Sequence, residues 1–178
     1  MQQHHKRHRP MHHLDEKGMY FVTVSTYLQK PLFDDDAKKS MLRKVLKEKA
    51  DACGAKIFAY VLLDSHYHML ITLKKDSDLA ELIHNINGKS AFLLNNIDQV
   101  KNRKVWHNYW DTCIRREVDF WKRFNYIHQN PVKHKYVDVM DGYRFSSYRA
   151  WVRKMGIGWL NDAFEIYPIK DFVEKGDD

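Results

Sequence analysis

Residues 62–73 read Leu-Leu-Asp-Ser-His-Tyr-His-Met-Leu-Ile-Thr-Leu, and this stretch constrains the fold more than any other part of the chain. A run of large aliphatic, aromatic and β-branched residues entered through the polar pair Asp64-Ser65 reads as the return strand of a hairpin. Side chains alternate across a strand, so His66 and His68 project from one face while Tyr67 and Met69 project from the other. Two neighbouring imidazoles make half of a metal site, and the other half has to arrive from elsewhere in the chain. Tyr126, with Asn130 one helical turn beyond it, is the candidate.

The elements on either side of this hairpin follow from periodicity and punctuation. Met19 to Tyr27 is a β-rich first strand closed by Pro31. Asp34-Asp35-Asp36 supplies a cap and dipole-matching charge to a helix in which Met41, Leu42, Val45, Leu46 and Ala50 recur at three-and-four spacing, with Gly54 as its stop. Lys56 to Leu63 is the second strand and His66 to Leu73 the third. Ser77 or Asp78 caps a second helix running through Leu79, Leu82, Ile83, Ile86, Ala91, Leu94 and Ile97. After a polar loop, Val105 to Ile114 reads as the fourth strand or a strand pair. The order β-α-β-β-α-β is the ferredoxin-like pattern of an α+β fold, a sheet with both helices on one face. The opposite face is then left for something else, and the two histidines can point there.

Arg115 to Gln129 reads as a third helix ended at Asn130-Pro131, because a residue before proline is pushed out of the helical region. Its apolar stripe is Phe120, Trp121, Phe124 and Ile127. Tyr126 lies off that stripe among Asp119, Lys122, Arg123 and Asn130, so it is expected either in solvent or against a polar site. His128 lies beside the stripe and reads as packed. Residues 1–14 form a basic, histidine-rich arm, residues 15–152 the main domain, and residues 153–178 an appendage whose Trp159, Leu160, Phe164, Ile166 and Tyr167 pack on the core.

The chain's 178 residues, 44% of them hydrophobic, suffice for one compact domain with some tail. A polar, basic N-terminus and the lack of any run of about 18 apolar residues argue against a secretory signal and a membrane span, so a cytoplasmic location is expected. Cys53 and Cys113 have no CxxC spacing, which argues against a zinc knuckle, and both read as buried thiols. A net charge of +7 with 13% aromatic residues suits phosphate backbones and stacked bases.

Four segments occur in an order that goes beyond these generalities: His66-Tyr67-His68, Trp106-His107-Asn108-Tyr109-Trp110, Tyr126-Ile127-His128-Gln129-Asn130-Pro131-Val132-Lys133 and Ser146-Ser147-Tyr148. Together they resemble the REP-associated tyrosine transposases, a branch of the single-tyrosine HUH endonucleases related to insertion-sequence transposases, over about residues 15–152. The resemblance implies a ferredoxin-like core that cuts single-stranded DNA beside hairpins with a divalent metal, Mg²⁺ or Mn²⁺. It implies that His66 and His68 bind the metal, that Tyr126 is the nucleophile, and that Asn130 stands where relatives place a third, polar ligand. It leaves monomer and homodimer both open. Two positions depart from the family pattern: Tyr67 where an aliphatic residue is usual, and Asp64-Ser65 where a Pro-Asn pair is frequent.

The chemistry of these residues is consistent with that implication. A phenol with a pKa of about 10 is a poor nucleophile unless phenolate is stabilised nearby, and Lys122 and Arg123 lie one turn before Tyr126. Attack on a phosphodiester leaves a 5′-phosphotyrosine and a free 3′-OH, keeping the bond energy for rejoining. Arg115, Arg116, Lys122, Arg123, Lys133 and Lys135 are candidates for sequence-tolerant phosphate contacts, and Trp106, Tyr109 and Trp110 for base stacking, with at least one of the two tryptophans expected in the core. The competing readings are a catalytically silent hairpin-binding protein of the same fold and a metal-dependent small-molecule hydrolase.

Overall fold

The computed structural model describes residues 18–74 and 78–169. The N-terminal arm, Ser77 and the acidic C-terminal end lie outside the described residues. In chain order the elements are β1 (Met19–Thr26), α1 (Asp36–Ala52), β2 (Lys56–Leu62), β3 (His66–Thr72), α2 (Leu79–Ile97), β4 (Trp106–Cys113), α3 (Glu117–Lys133), α4 (Tyr148–Met155) and α5 (Ile157–Ile166). The strands form one antiparallel sheet in the order β2-β3-β1-β4. This is the ferredoxin-like arrangement that the element order predicts.

Local signals set these elements as expected. The Asp35 carboxylate accepts from the Lys38 N–H at 2.7 Å and starts α1, while the Asp78 carboxylate accepts from the N–H groups of Ala80 and Glu81 and starts α2. Gly54 follows α1 at φ +65°, a backbone conformation that costs glycine nothing. β1 stops at Thr26, one residue short of the expected Tyr27, which begins a short 3₁₀ turn instead.

The helices divide between the two faces of the sheet. α1 and α2 pack on each other and on one face, where the Tyr67 hydroxyl donates to Asn87 of α2 at 3.0 Å. α3 packs against β2 and β3 on the other face. β3 is therefore flanked by strands and covered on both sides, and all its residues from His66 to Thr72 are buried. A pair of histidines on a strand of this kind is not a surface pair.

Two expectations are overturned by the structure. The helix does not end before Pro131: α3 continues to Lys133 with Pro131 inside it. Proline lacks only the N–H that would reach the carbonyl of Ile127, and the helix closes two residues later in a Schellman motif, with Tyr136 N–H donating to Pro131 O at 2.9 Å and Lys135 N–H to Val132 O at 3.0 Å. Lys135 holds the left-handed position of that motif at φ +59°. Second, Cys113 is exposed on the outer strand β4 and Cys53 is half-buried, so neither is the fully buried thiol expected. The C-terminal helices pack on the core as expected of the appendage, through Trp159, Leu160, Phe164 and Tyr167, whereas Ile166 is exposed. The Asn125 amide of α3 donates to Ala163 O at 2.9 Å and to Tyr167 O at 2.7 Å, Trp121 meets Trp159, and the expected boundary at residue 152 falls inside α4.

Candidate active site

The site is built where β3, β1 and α3 meet. His68 is fully buried at the centre of the sheet. Its register partner on β1 is Thr23, and the Thr23 hydroxyl lies 2.9 Å from His68 Nδ1. The Phe21 ring stacks on His68 with centroids 5.5 Å apart, and the His66 ring stands 4.9 Å away. From the opposite side α3 brings Tyr126, whose ring centroid is 5.4 Å from that of His68, and Asn130, whose Nδ2 lies 3.5 Å from His68 Nε2.

Burial dominates the electrostatics. It pushes the His68 pKa down to about 3, and the nearby His134 and Lys133 push in the same direction. His68 is thus a neutral imidazole throughout the physiological range. In the tautomer whose Nδ1–H donates to the Thr23 hydroxyl, the Nε2 lone pair faces the Asn130 side of the site, the arrangement in which an outer partner orients a histidine toward a metal. His66, only 8% exposed, has Nδ1 3.2 Å from the Ser65 hydroxyl and faces His134 at 5.2 Å between ring centroids.

The donors present fit a divalent ion. Asn130 Oδ1 is buried without a hydrogen-bond partner, so it is available as a donor to a cation. Among the described residues no three His, Cys, Asp or Glu side chains come together as a metal cage. Imidazole and amide donors bring no carboxylate or thiolate charge and number only three, a set that fits a divalent ion with open coordination positions better than a closed structural zinc site.

Tyr126 lies against a polar site and not in solvent, the second of the two alternatives left open by its helical neighbours. It is 1% exposed, with Phe21 edge-on at 6.2 Å and the Lys133 ammonium 5.2 Å above its ring. The solvent alternative fails and the polar-site one holds because α3 is buried on two sides: the sheet covers the side carrying Tyr126 and, through Phe58, Phe120, while α4 and α5 cover Trp121 and Phe124. His128 is packed as expected, with Nε2 2.8 Å from the Ser147 hydroxyl.

The candidate DNA contacts separate into those near the site and those apart from it. The Arg123 guanidinium lies 5.7 Å over the Phe21 ring, at the edge of the site, and Lys122 is half-buried beside it on α3. Arg115 is exposed, and Arg116 is engaged by both oxygens of Asp119 at 2.7 and 2.9 Å, which offsets its charge. Trp106 is not a stacking platform: it is buried, its indole N–H donates to Ser90 at 2.9 Å, and Phe33 stacks on it at 4.9 Å. Trp110, 52% exposed on β4, and the half-buried Tyr109 are the aromatic groups accessible there.

Three residues of the site were not singled out from sequence. Phe21 and Thr23 become visible only once β1 is known to lie beside β3, although a threonine two residues after Phe21 in a strand is a signal in retrospect. His134 continues the series Tyr126, Asn130, His134 at intervals of four, and a helix thought to stop at Pro131 hides it.

The model of the IS200-like transposase family matches residues 16–130 of the chain. A REP-associated tyrosine transposase of Escherichia coli (strain K12) is 27% identical over 150 residues, covering 82% of this chain and 87% of its own length. A Haemophilus influenzae protein described as belonging to the same group is 25% identical over 168 residues, 85% of each chain. Among solved structures, a REP-associated tyrosine transposase bound to a REP hairpin superposes with a TM-score of 0.66 at 25% identity, over 83% of this chain and 86% of that one.

Proposed function

Because this chain belongs to the IS200-like transposase family, and is on that ground a DNA-processing protein, we propose that it cuts single-stranded DNA beside a hairpin and holds the product covalently on Tyr126. The observation that carries the reading is the juxtaposition of the Tyr126 and His68 rings at 5.4 Å with Asn130 one turn further along the same helix. Support for a hairpin substrate comes from the similar protein whose structure contains a REP hairpin.

In this mechanism the Tyr126 oxygen attacks the scissile phosphorus, a bond forms between them, and the bond from phosphorus to the 3′-oxygen breaks. The phenol gives up its proton and the departing 3′-oxygen takes one up, so the products are a 5′-phosphotyrosine and a 3′-OH. His66, His68 and Asn130 would hold a divalent ion, which supplies Lewis-acid charge against the phosphate. Lys133, above the Tyr126 ring, favours the electron-rich phenol that attack requires. Phe21 and the ring of His68 limit the motion of Tyr126, so that little orientation is left to be found when substrate arrives. Arg123 at the edge of the site and the exposed Trp110 offer contacts to phosphate and to an unpaired base.

The test is incubation of the purified protein and Mn²⁺ with end-labelled oligonucleotides carrying a hairpin and a single-stranded flank, read on a denaturing gel. The expected result is a protein-linked product that Tyr126→Phe abolishes. Retention of the linked product by Tyr126→Phe would overturn the assignment. Hairpin binding without any cleavage, across several metals and flank sequences, would favour the catalytically silent reading instead.

A further inference from the structure

A groove of about 550 Å³ opens at the outer edge of the sheet, between α1, β2 and α4. Its rim carries Arg43, Lys44 and Lys47 from α1, Lys56 from β2 and Lys154 from α4, and none of the residues lining it is acidic. Arg43 is half-buried and the four lysines are exposed. Aromatic faces hold two of these charges in position, with the Lys56 ammonium 4.9 Å over Phe58 and that of Lys154 5.1 Å over Trp151. On the floor Tyr60 and Ser147 add hydroxyl groups to the apolar Ile57, Phe58 and Trp151.

Five like charges around one groove repel one another, and a polyanion relieves that repulsion. A single phosphate meets two or three cations at once, whereas charges spread from α1 across β2 to α4 match a row of phosphates. The groove shares no lining residue with the Tyr126 site, so a ligand that uses both has to be long enough to reach from the edge of the sheet to the face covered by α3. The two regions are held at a fixed offset. Ser147 accepts from the Tyr60 N–H at 3.0 Å in the groove and lies 2.8 Å from His128, two residues from Tyr126.

We infer that this groove binds the phosphodiester backbone of the hairpin stem while the single-stranded flank runs to Tyr126. The inference rests on the hairpin-DNA reading above, and binding measurements separate the two because they require no cleavage.

The experiment compares wild type with the triple variant Lys44→Gln, Lys47→Gln, Lys154→Gln by fluorescence anisotropy, using a hairpin with its flank and an unstructured strand of the same length. Neutralising about three phosphate contacts is expected to weaken hairpin binding roughly tenfold to a hundredfold near physiological salt and to reduce the log–log salt slope by about 2 to 3. The unstructured strand is expected to lose no more than about twofold, and an unchanged melting curve verifies that the variant is folded. Wild-type affinity and slope for the hairpin in the variant would overturn the inference, as would an equal loss on the unstructured strand. A wild-type protein that binds hairpins but forms no covalent product would defeat the cleavage mechanism and leave the groove standing; one that binds no hairpin would defeat both.

Discussion

His68 and His128 are both fully buried, and burial pushes each pKa down to about 3. In the unfolded chain both titrate near 6.5. Between those values the unfolded state binds more protons than the native one, so the stability they contribute is complete above pH about 6.5 and is lost as the pH falls toward 3. Each adds up to about 1.4 kcal/mol per pH unit within that window. The expected outcome is a melting temperature of the metal-free protein that falls from pH 6.5 to 4.5, with His128→Gln roughly halving the slope due to the pair; a profile that is flat in wild type over this range contradicts the burial argument. That His66 and His68 share one face of a strand and that Asn130 follows Tyr126 by one helical turn were legible from strand and helix geometry, while the roles expected of them came from the family resemblance. Thr23 and His134 were not, since their roles depend on which strand lies beside β3 and on a helix that persists through Pro131.

At the scale of elements, α3 and β4 make the clearest predictions. Lys135 ends α3 in the left-handed conformation, which costs a residue with a Cβ about 1 kcal/mol relative to glycine. Lys135→Gly is therefore expected to raise stability by roughly 0.5–1 kcal/mol in chemical denaturation; destabilisation would show that the lysine side chain contributes more than its backbone costs. On β4 the two tryptophans have opposite roles. Trp106→Ala removes a buried ring stacked on Phe33 and is expected to destabilise by about 3–5 kcal/mol. Trp110→Ala is expected to leave the melting temperature unchanged and to weaken single-strand binding by roughly 1–3 kcal/mol in a titration. Equal effects of the two substitutions on stability would contradict the placement of their rings. Period-two alternation alone would put both on one face; a β-bulge in β4 between them, where the pairing shifts from Val24↔Tyr109 to Thr26↔Trp106, turns Trp106 to the α1–α2 face and leaves Trp110 opposite Thr23 on the other.

At the scale of the whole molecule, the sheet is a partition with the α1–α2 pair on one side and α3 on the other, and α4 and α5 close over the back of α3. The α+β order was readable from alternation and caps, since those signals are local. The double covering of α3 was not, because an amphipathic helix is judged against one solvent face and α3 has almost none. The same holds for the basic groove, whose residues come from segments 40–47, 56–60 and 147–154 and meet only in the folded chain. The central claim is that the buried phenol beside His68 is the group that joins DNA. It is tested most directly by proteolysis and tandem mass spectrometry of the protein after reaction with a hairpin-bearing oligonucleotide. The expected product carries a nucleotide phosphate on the peptide containing Tyr126; a modification on Tyr109, Tyr136 or another residue instead would rule out Tyr126 as the nucleophile.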